Sequence, residues 1–232
     1  MLVLAAALGG YLYTVREQGI FACSGAGYGG DRILAYCQAS QYGDYDHGAF
    51  WFSLEPGIRE AVARAQVLFL GNSRVQFGFS GAQTHRYMDA LPARFFLMGF
   101  AYWENYTFPR ALLRQIRPHP QVVIINMDDY FETRETDVAR SLMQNDSLRL
   151  HYRIKRLWQW PHRALCGMFA SLCGGNEAFF RSLSTGEYLR VAAQWGHFDA
   201  AYDEGVDAAV VSRHTPLARE FIDSLGVPDD CV

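Results

Sequence analysis

Residues 67–74 read Val67-Leu68-Phe69-Leu70-Gly71-Asn72-Ser73-Arg74, and this octapeptide sets the architecture of the chain. A short, continuous apolar run that ends at a turn residue is typical of a buried strand, and the mixed spacing from about Gln76 to Ala90 predicts a following helix. Ser73 is then expected on a strand-to-helix turn, at the carboxyl end of a strand, where ligands collect in open α/β sheets. The alternative is ordinary turn chemistry, in which Ser73 only caps the next helix.

Two further apolar runs extend the pattern. Residues 93–98 (ARFFLM) end at Gly99, and a helix is predicted from Thr107 to Ile116, with a proline in its first turn. The β-branched run from Val122 to Ile125 then ends in Asn126-Met127-Asp128-Asp129. Continuous rather than alternating apolar strands, separated by helices, predict a parallel sheet that is buried on both faces. The carboxyl ends of its strands would bring the polar turns to one edge.

These three blocks resemble the SGNH (GDSL-like) hydrolase superfamily, which includes carbohydrate esterases and membrane-anchored O-acyltransferases. Gly71-Asn72-Ser73 matches the block that carries the nucleophilic serine, with Asn72 in place of the family aspartate. Gly99 matches the second block, whose N–H joins the oxyanion hole. The run from Asn126 to Asp129 matches the third block, Gly-x-Asn-Asp, only in part, so Asp128 takes the place of the oxyanion asparagine. A carboxylate there would repel an oxyanion unless protonated, and Asn126 is the alternative donor.

The resemblance implies an α/β fold, a three-layer flavodoxin-like sandwich with a parallel sheet over residues 55–232, incomplete at its C-terminal edge. It also implies ester hydrolysis or O-acyl transfer through Ser73 on an acylated carbohydrate or a small ester, with no cofactor and no metal. The alternative is a non-catalytic, membrane-anchored protein on the same scaffold that binds polysaccharide or an envelope partner. A third possibility is a cytosolic phosphate-binding α/β protein.

The general base is the weakest part of the match. The family places Asp-x-x-His near the C-terminus, where the imidazole takes the serine proton. Only Asp44-Tyr45-Asp46-His47 has this spacing, and because it precedes the nucleophile we interpret it as a coincidence. The chain ends where a fourth strand would begin, so the part that carries the base is expected to be missing. His197 and His214 follow the third strand and could act as bases, although a surface or helix-cap role is commoner.

The N-terminus carries no charge from Met1 to Val15. Fifteen helical residues span about 22 Å, against about 30 Å for the hydrocarbon core of a bilayer, and the basic start of a signal peptide is absent. We interpret residues 1–16 as the outer part of a signal-anchor helix that holds the protein on the extracytoplasmic, periplasmic side of a membrane. An apolar helix docked on the domain is the alternative. Residues 17–54, rich in Gly and Tyr, are predicted to form an irregular linker.

Composition narrows the class of protein. Half of the 232 residues are apolar, which disfavours disorder, and the net charge of −3 excludes a globally basic nucleic-acid binder, so no nucleic acid is expected as a partner. Five cysteines leave at least one thiol unpaired in a monomer. Cys23 and Cys37 could staple the linker in an oxidising compartment. Cys166 and Cys173, if they lie on one helix, would be about 10 Å apart, too far for a disulfide.

Residues 149–163 (RLHYRIKRLWQWPHR) hold five basic side chains and no acidic ones. Leu150, Ile154, Leu157 and Trp158 fall near one face at helical spacing. The plain interpretation is an amphipathic helix that covers the sheet and exposes a basic face. An anionic membrane surface or nucleic acid are the other partners that such a stretch suits. Further helices are predicted over residues 185–195 and 207–225.

Overall fold

The computed structural model describes residues 16–101, 104–127, 129–131, 134–191 and 208–224. In chain order its elements are β1 (Arg32–Cys37), β2 (Gly43–Asp44), α1 (Asp46–Trp51), α2 (Ile58–Ala63), β3 (Val67–Gly71), α3 (Ser73–Gly78), α4 (Ala82–Ala90), β4 (Phe95–Gly99), α5 (Thr107–Ile116), β5 (Val122–Ile125), α6 (Asp137–Gln144), α7 (Leu148–Met168), β6 (Ala178–Ser182), β7 (Tyr188–Val191) and α8 (Ala208–Asp223). Short 3₁₀ turns lie at Ile20–Ala22, Asp129–Phe131 and Ala170–Leu172.

The chain forms two compact units. Within the described ranges, the first unit contains residues 16–54, 147–182 and 189–191, and the second contains residues 55–146, 183–188 and 208–224. The predicted membrane anchor covers residues 1–16, of which residues 1–15 lie outside those ranges. Among the residues that the structure describes, no helix has both the length and the hydropathy that crossing a bilayer requires.

The first unit is built on an antiparallel sheet with the strand order β2-β1-β6-β7. The prediction of an irregular linker over residues 17–54 is wrong, because this segment supplies β1, β2 and α1. β1 is six residues long and buries four of them, including three in succession, so it has no alternating pattern that the sequence could reveal. Beside it, Arg181 Nη1 donates to Asp46 Oδ2 over 2.6 Å in a fully buried ion pair.

Two disulfides stabilise the first unit. Cys23 is bonded to Cys37, as the linker cysteines suggested, and Cys166 is bonded to Cys173. The condition under which this second pair would be too far apart, that both cysteines lie on one helix, is not met, because α7 ends at Met168 and the following 3₁₀ turn brings Cys173 back. The two Cα atoms are 5.8 Å apart rather than about 10 Å. The fifth cysteine, Cys231, lies outside the described residues.

Helix α7 confirms the helix predicted over residues 149–163, but its buried face is not the one predicted. The buried side chains are Tyr152, Gln159, His162 and Cys166. Gln159 donates to Leu34 O and accepts from Leu34 N, both over 3.1 Å, which attaches the helix to β1. The apolar residues expected to cover a sheet are exposed instead. Apolar spacing alone misleads here because polar side chains make the inward contacts.

The second unit contains the predicted parallel sheet, with the strand order β4-β3-β5. β3 and β4 are buried along their whole lengths, and their side chains form a core with Val75 of α3 and Met88 of α4. The predicted strand before Asn126 and the helix Thr107–Ile116 are confirmed as β5 and α5. The structure is therefore mixed α/β, with a small parallel sheet and a separate antiparallel one that was not predicted.

Two helix predictions differ from the structure. The single helix expected from Gln76 to Ala90 is two helices, α3 and α4, because the chain turns at Ser80-Gly81, where Ser80 Oγ donates to Gln76 O. The helix expected over residues 185–195 is contradicted by β7 and by the turn before it, in which Gly186 has φ +72°. A Cβ on Gly186 would lie 2.2 Å from Leu97 O, so this turn requires glycine. The helix predicted over 207–225 is confirmed as α8.

Candidate functional site

Three strand ends meet at one edge of the parallel sheet. Gly71 at the end of β3 pairs with Gly99 at the end of β4. On the other side of β3, Leu70 pairs with Ile125, and Asn126 N–H donates to Leu70 O over 2.9 Å. The register therefore brings Gly71, Gly99 and Asn126 level with one another. Ser73 lies two residues beyond the end of the central strand, between the other two.

The turn between β3 and α3 is held by Asn72, which is the true helix cap. Its backbone is extended, with φ −96° and ψ −151°, and its Oδ1 accepts from Arg74 N–H over 3.0 Å. Ser73 is the first residue of α3 and is half-buried. Because Asn72 caps the helix, Ser73 is not needed for that purpose. Its hydroxyl makes no hydrogen bond to a histidine of the described ranges.

Asn126 reaches across to the same turn. Its Nδ2 donates to Asn72 Oδ1 over 3.1 Å, so one oxygen accepts from both the helix start and the neighbouring strand end. An amide nitrogen carries two hydrogens, and this bond uses one of them. Asp128, the other predicted member of the third block, lies outside the described residues.

Gly99 lies directly against this turn. A Cβ at this position would be 2.7 Å from Asn72 O and 2.9 Å from Gln76 N. Both are backbone atoms that a small side-chain movement cannot clear. The close approach explains why a glycine ends β4, and it fixes the distance between β4 and the start of α3.

The structure describes one of the two histidines that were predicted as possible bases. His197 lies outside the described ranges. His214, on α8, is buried, and its Nδ1–H donates to Met127 O over 3.0 Å. Because a carbonyl oxygen only accepts, this bond places a hydrogen on Nδ1. Met127 directly follows Asn126, so the imidazole lies beside the carboxyl end of β5.

The Asp-x-x-His motif does form a contact, but in the first unit. His47 Nδ1 and Asp44 Oδ2 are 2.9 Å apart, and Asp44 Oδ1 also accepts from His47 N–H. The carboxylate thus binds the first turn of α1. The bond from His47 N–H is a local contact at the start of the helix, and the interpretation of the spacing as a coincidence stays a prediction.

Sequence reasoning missed the buried carboxylate of Glu104, which follows β4. Its Oε2 accepts from Thr136 Oγ1 over 2.6 Å, and its Oε1 accepts from Asn105 N–H over 3.2 Å. Thr136 in turn caps α6 by accepting from Ala139 N–H. Glu104 therefore positions the loop after the Gly99 strand. A single glutamate in a loop gives no sequence signal of this role.

The first unit contains a second missed feature, a cavity of about 280 Å³ beside α7. It is lined mainly by apolar and aromatic residues, with the Lys155 ammonium at its wall. Lys155 Nζ donates to Asp44 O over 2.6 Å and lies 4.9 Å from the centre of the Tyr152 ring, and burial lowers its pKa. These contacts give the lysine a structural role.

One group of potential metal ligands is present in the described residues, formed by His162, Cys166 and Cys173. The two sulfurs are bonded to each other, so the group offers no thiolate. The His162 ring is also committed, since its Nε2–H donates to Cys23 O and its Nδ1 accepts from the Tyr28 hydroxyl. This chemistry does not fit a metal centre.

Comparison of the chain with protein-family models, with curated proteins and with solved structures finds no match.

Proposed function

We propose that the protein is an ester hydrolase or O-acyltransferase that uses Ser73 as its nucleophile on an acylated substrate, with a carbohydrate ester as the preferred class. One observation carries the proposal: Ser73 lies two residues beyond the end of the central strand of a parallel sheet, whose last residue, Gly71, is level with Gly99 on one side and Asn126 on the other. This is the arrangement that the resemblance to SGNH hydrolases requires of its three blocks. The strand order, second-first-third along the chain, is also that of the first three strands of a flavodoxin-like sheet.

In this reaction Ser73 Oγ attacks the ester carbonyl while a base removes its proton. The tetrahedral oxyanion then collapses, the acyl–oxygen bond breaks, and the leaving alkoxide takes the proton from the base. Water or a sugar hydroxyl attacks the acyl-serine in the second half, which restores Ser73. Hydrolysis and transfer differ only in this acceptor.

The oxyanion needs preorganised donors. The resemblance assigns the N–H groups of Ser73 and Gly99 to this role. Asn126 supplies a third donor through the amide hydrogen that does not bind Asn72, and this choice avoids a carboxylate at the oxyanion. Loss of one such donor typically lowers the rate about 10²–10³-fold.

We assign the role of the base to His214. Its Nδ1–H donates to Met127 O, which holds the imidazole beside the carboxyl end of β5, the strand that precedes Asn126. In the SGNH family a carboxylate orients the imidazole, and here a backbone carbonyl takes that place. The partner of the imidazole is thus the uncharged carbonyl of Met127. This carbonyl stabilises the imidazolium that forms during the reaction less than an aspartate would.

The proposal extends to location. Two disulfides favour an oxidising compartment outside the cytoplasm. Anchoring by the apolar residues 1–15 would place the enzyme at the periplasmic side of a membrane, near acylated envelope polysaccharides.

A second candidate function is a non-catalytic binding protein on the same scaffold. It is favoured by the Ser73 hydroxyl, which makes no hydrogen bond to any described histidine. A polysaccharide or an envelope partner would then bind at the same sheet edge without turnover.

Labelling with a fluorophosphonate probe distinguishes the two candidates. The enzyme is expected to label, Ser73→Ala is expected to abolish labelling, and His214→Gln is expected to reduce it strongly. Ser141→Ala, at an exposed serine of α6, serves as the matched control and should label like the parent. A folded protein that does not label at all would contradict the esterase proposal and favour the binding protein.

A further inference from the structure

Helix α7 presents an apolar stripe to solvent. Its outer stripe consists of Leu150, Ile154, Leu157, Trp158 and Met168, all of which are exposed. Leu150 and Leu157 are exposed by 66% and 72% of their surface, and they lie seven residues apart, on the same side of the helix. Solvent exposure of so many large apolar side chains along one helix face indicates a surface that is covered in function.

The helix cannot turn this stripe inward. Gln159 bonds both polar groups of the Leu34 backbone and also donates to the Tyr42 hydroxyl. His162 bonds Cys23 O and Tyr28, and Cys166 forms a disulfide. These contacts fix the roll of α7 about its axis, so the outward direction of the stripe is a built feature of the first unit.

Positive charge lies along one border of the stripe. An arginine flank is formed by Arg149, Arg153, Arg156 and Arg163, all exposed. No acidic residue occurs from Ser147 to Asn176, although the whole chain carries a net charge of −3. The basic surface is therefore local to α7 and its neighbourhood. Trp160, exposed by 76%, lies among these arginines.

The apolar surface continues past the helix. The disulfide between Cys166 and Cys173 ties the 3₁₀ turn Ala170–Leu172 to the last turn of α7. Phe169 and Leu172 are exposed on this returning segment. The covalent tie holds the segment at the end of the helix, where a free chain would move away.

We propose that α7 docks in the plane of an anionic lipid surface, with the outer stripe in the boundary between acyl chains and headgroups and the arginine flank on the lipid phosphates. An aliphatic stripe, bordering arginines and tryptophans together are typical of amphipathic helices that bind an anionic lipid surface. Nucleic acid would match the arginines but gives no partner to exposed Leu150 and Leu157. The proposal does not depend on the chemistry of Ser73.

Vesicle flotation of the full chain tests this docking. Vesicles of phosphatidylcholine alone are compared with vesicles that also contain phosphatidylglycerol. Arg153→Gln/Arg156→Gln is expected to weaken binding to the anionic vesicles at least about tenfold, because each arginine near such a surface contributes substantially to partition. Leu150→Gln/Leu157→Gln is expected to weaken it by a similar factor through lost apolar burial.

Matched controls come from the second unit. Tyr87→Gln/Leu91→Gln replaces side chains of comparable exposure, 63% and 52%, and Arg86→Gln/Arg114→Gln removes the same charge. Both controls should bind like the parent. If the two α7 variants bind the anionic vesicles as the parent does, the proposal is overturned. The same conclusion applies if another segment holds the chain on the vesicles.

A local measurement separates α7 from every other contact with lipid. Vesicles with brominated acyl chains are expected to quench the tryptophan fluorescence of the bound parent, and Trp158→Phe/Trp160→Phe should lose most of this quenching. Equal quenching in parent and variant would overturn the proposal. Two other outcomes would also overturn the proposal. If the protein forms a dimer without lipid and Leu150→Gln/Leu157→Gln abolishes that dimer, the face binds a second copy of the chain. If the protein binds nucleic acid and Arg153→Gln/Arg156→Gln abolishes that binding, the face binds nucleic acid.

Discussion

Asn126 donates its side-chain amide to Asn72 Oδ1 over 3.1 Å, and this bond joins the ends of β5 and β3 beside Ser73. The same oxygen accepts from Arg74 N–H, so the start of α3 and the neighbouring strand are held by a single acceptor. The position of the proposed oxyanion donor is therefore set by Asn72, the residue that caps the helix of the proposed nucleophile.

This acceptor predicts a specific cost for Asn126→Asp. A carboxylate oxygen in place of Nδ2 would face Asn72 Oδ1, and two acceptors repel. We expect the free energy of unfolding in urea to fall by about 1–3 kcal/mol at neutral pH, more than for Asn126→Ala. A double-mutant cycle with Asn72→Ala is the control, because the excess penalty should shrink once the opposing oxygen is absent. An equal penalty in both backgrounds would contradict the bond.

The contact at Gly99 predicts intolerance of the smallest side chain. Gly99→Ala would place a methyl group against Asn72 O and Gln76 N, and we expect a loss of about 1–3 kcal/mol in unfolding free energy. Gly78→Ala is the matched control at the end of α3, where an added Cβ meets nothing within 4 Å. It should be neutral or stabilising by up to about 1 kcal/mol. Similar effects of the two substitutions would refute the close approach.

Burial of His162 predicts a pH dependence of stability. Burial lowers the pKa of His162 to about 4, although the bond to Cys23 O opposes the shift. Above pH 6.5 the imidazole is neutral in both states. Between pH 6.5 and about 4 only the unfolded chain binds the proton. The unfolding free energy therefore decreases as the pH is lowered through this range, by at most about 1.4 kcal/mol per pH unit.

Denaturant titrations between pH 8 and 5 measure this slope. His162→Gln should be less stable at pH 8 and should show a flatter profile below pH 6.5. His119→Gln, at an exposed position, is expected to keep the parent slope. A parent profile that does not change between pH 6.5 and 5 would rule out the buried neutral imidazole.

The disulfide between Cys23 and Cys37 predicts a loss of stability when both cysteines are replaced. The bond closes a segment with a sequence separation of 14, for which the chain-entropy model gives about 3 kcal/mol. Cys23→Ala/Cys37→Ala should therefore lower the unfolding free energy by about this amount under oxidising conditions. Reductant should destabilise the parent more than the variant, and an equal response would argue against the bond.

The sequence predicts the second unit better than the first for a physical reason. β3 and β4 are short runs buried along their whole lengths, and β5 is a partly buried run of β-branched residues, so the apolar residues of each strand follow one another and mark it. These runs predicted the parallel sheet and the position of Gly71, Gly99 and Asn126 at one edge of it. The role of Asn72 as a double acceptor could not be predicted, because it depends on a residue 54 positions away.

The strands of the first unit were not predicted because they are defined by contacts between residues that are far apart in the sequence. β1 is recognisable only through β6, and the inner face of α7 only through the backbone of Leu34. The apolar stripe of α7 predicted a helix correctly and its buried face wrongly. A helical period shows that one face is apolar, and it does not show whether protein or another phase covers that face.

The pairing of β1 with β6 also sets an order of events during synthesis. The parallel sheet of the second unit is complete once residue 125 has emerged, whereas β1 must wait for its partner until residue 182. Closing so long a loop is entropically costly and slow. A nascent chain would thus carry Cys23, Cys37 and the apolar residues of β1 without their β6 partner after all three strands of the serine-bearing sheet have emerged, and this interval is when the first unit is most exposed to mispairing and to chaperones.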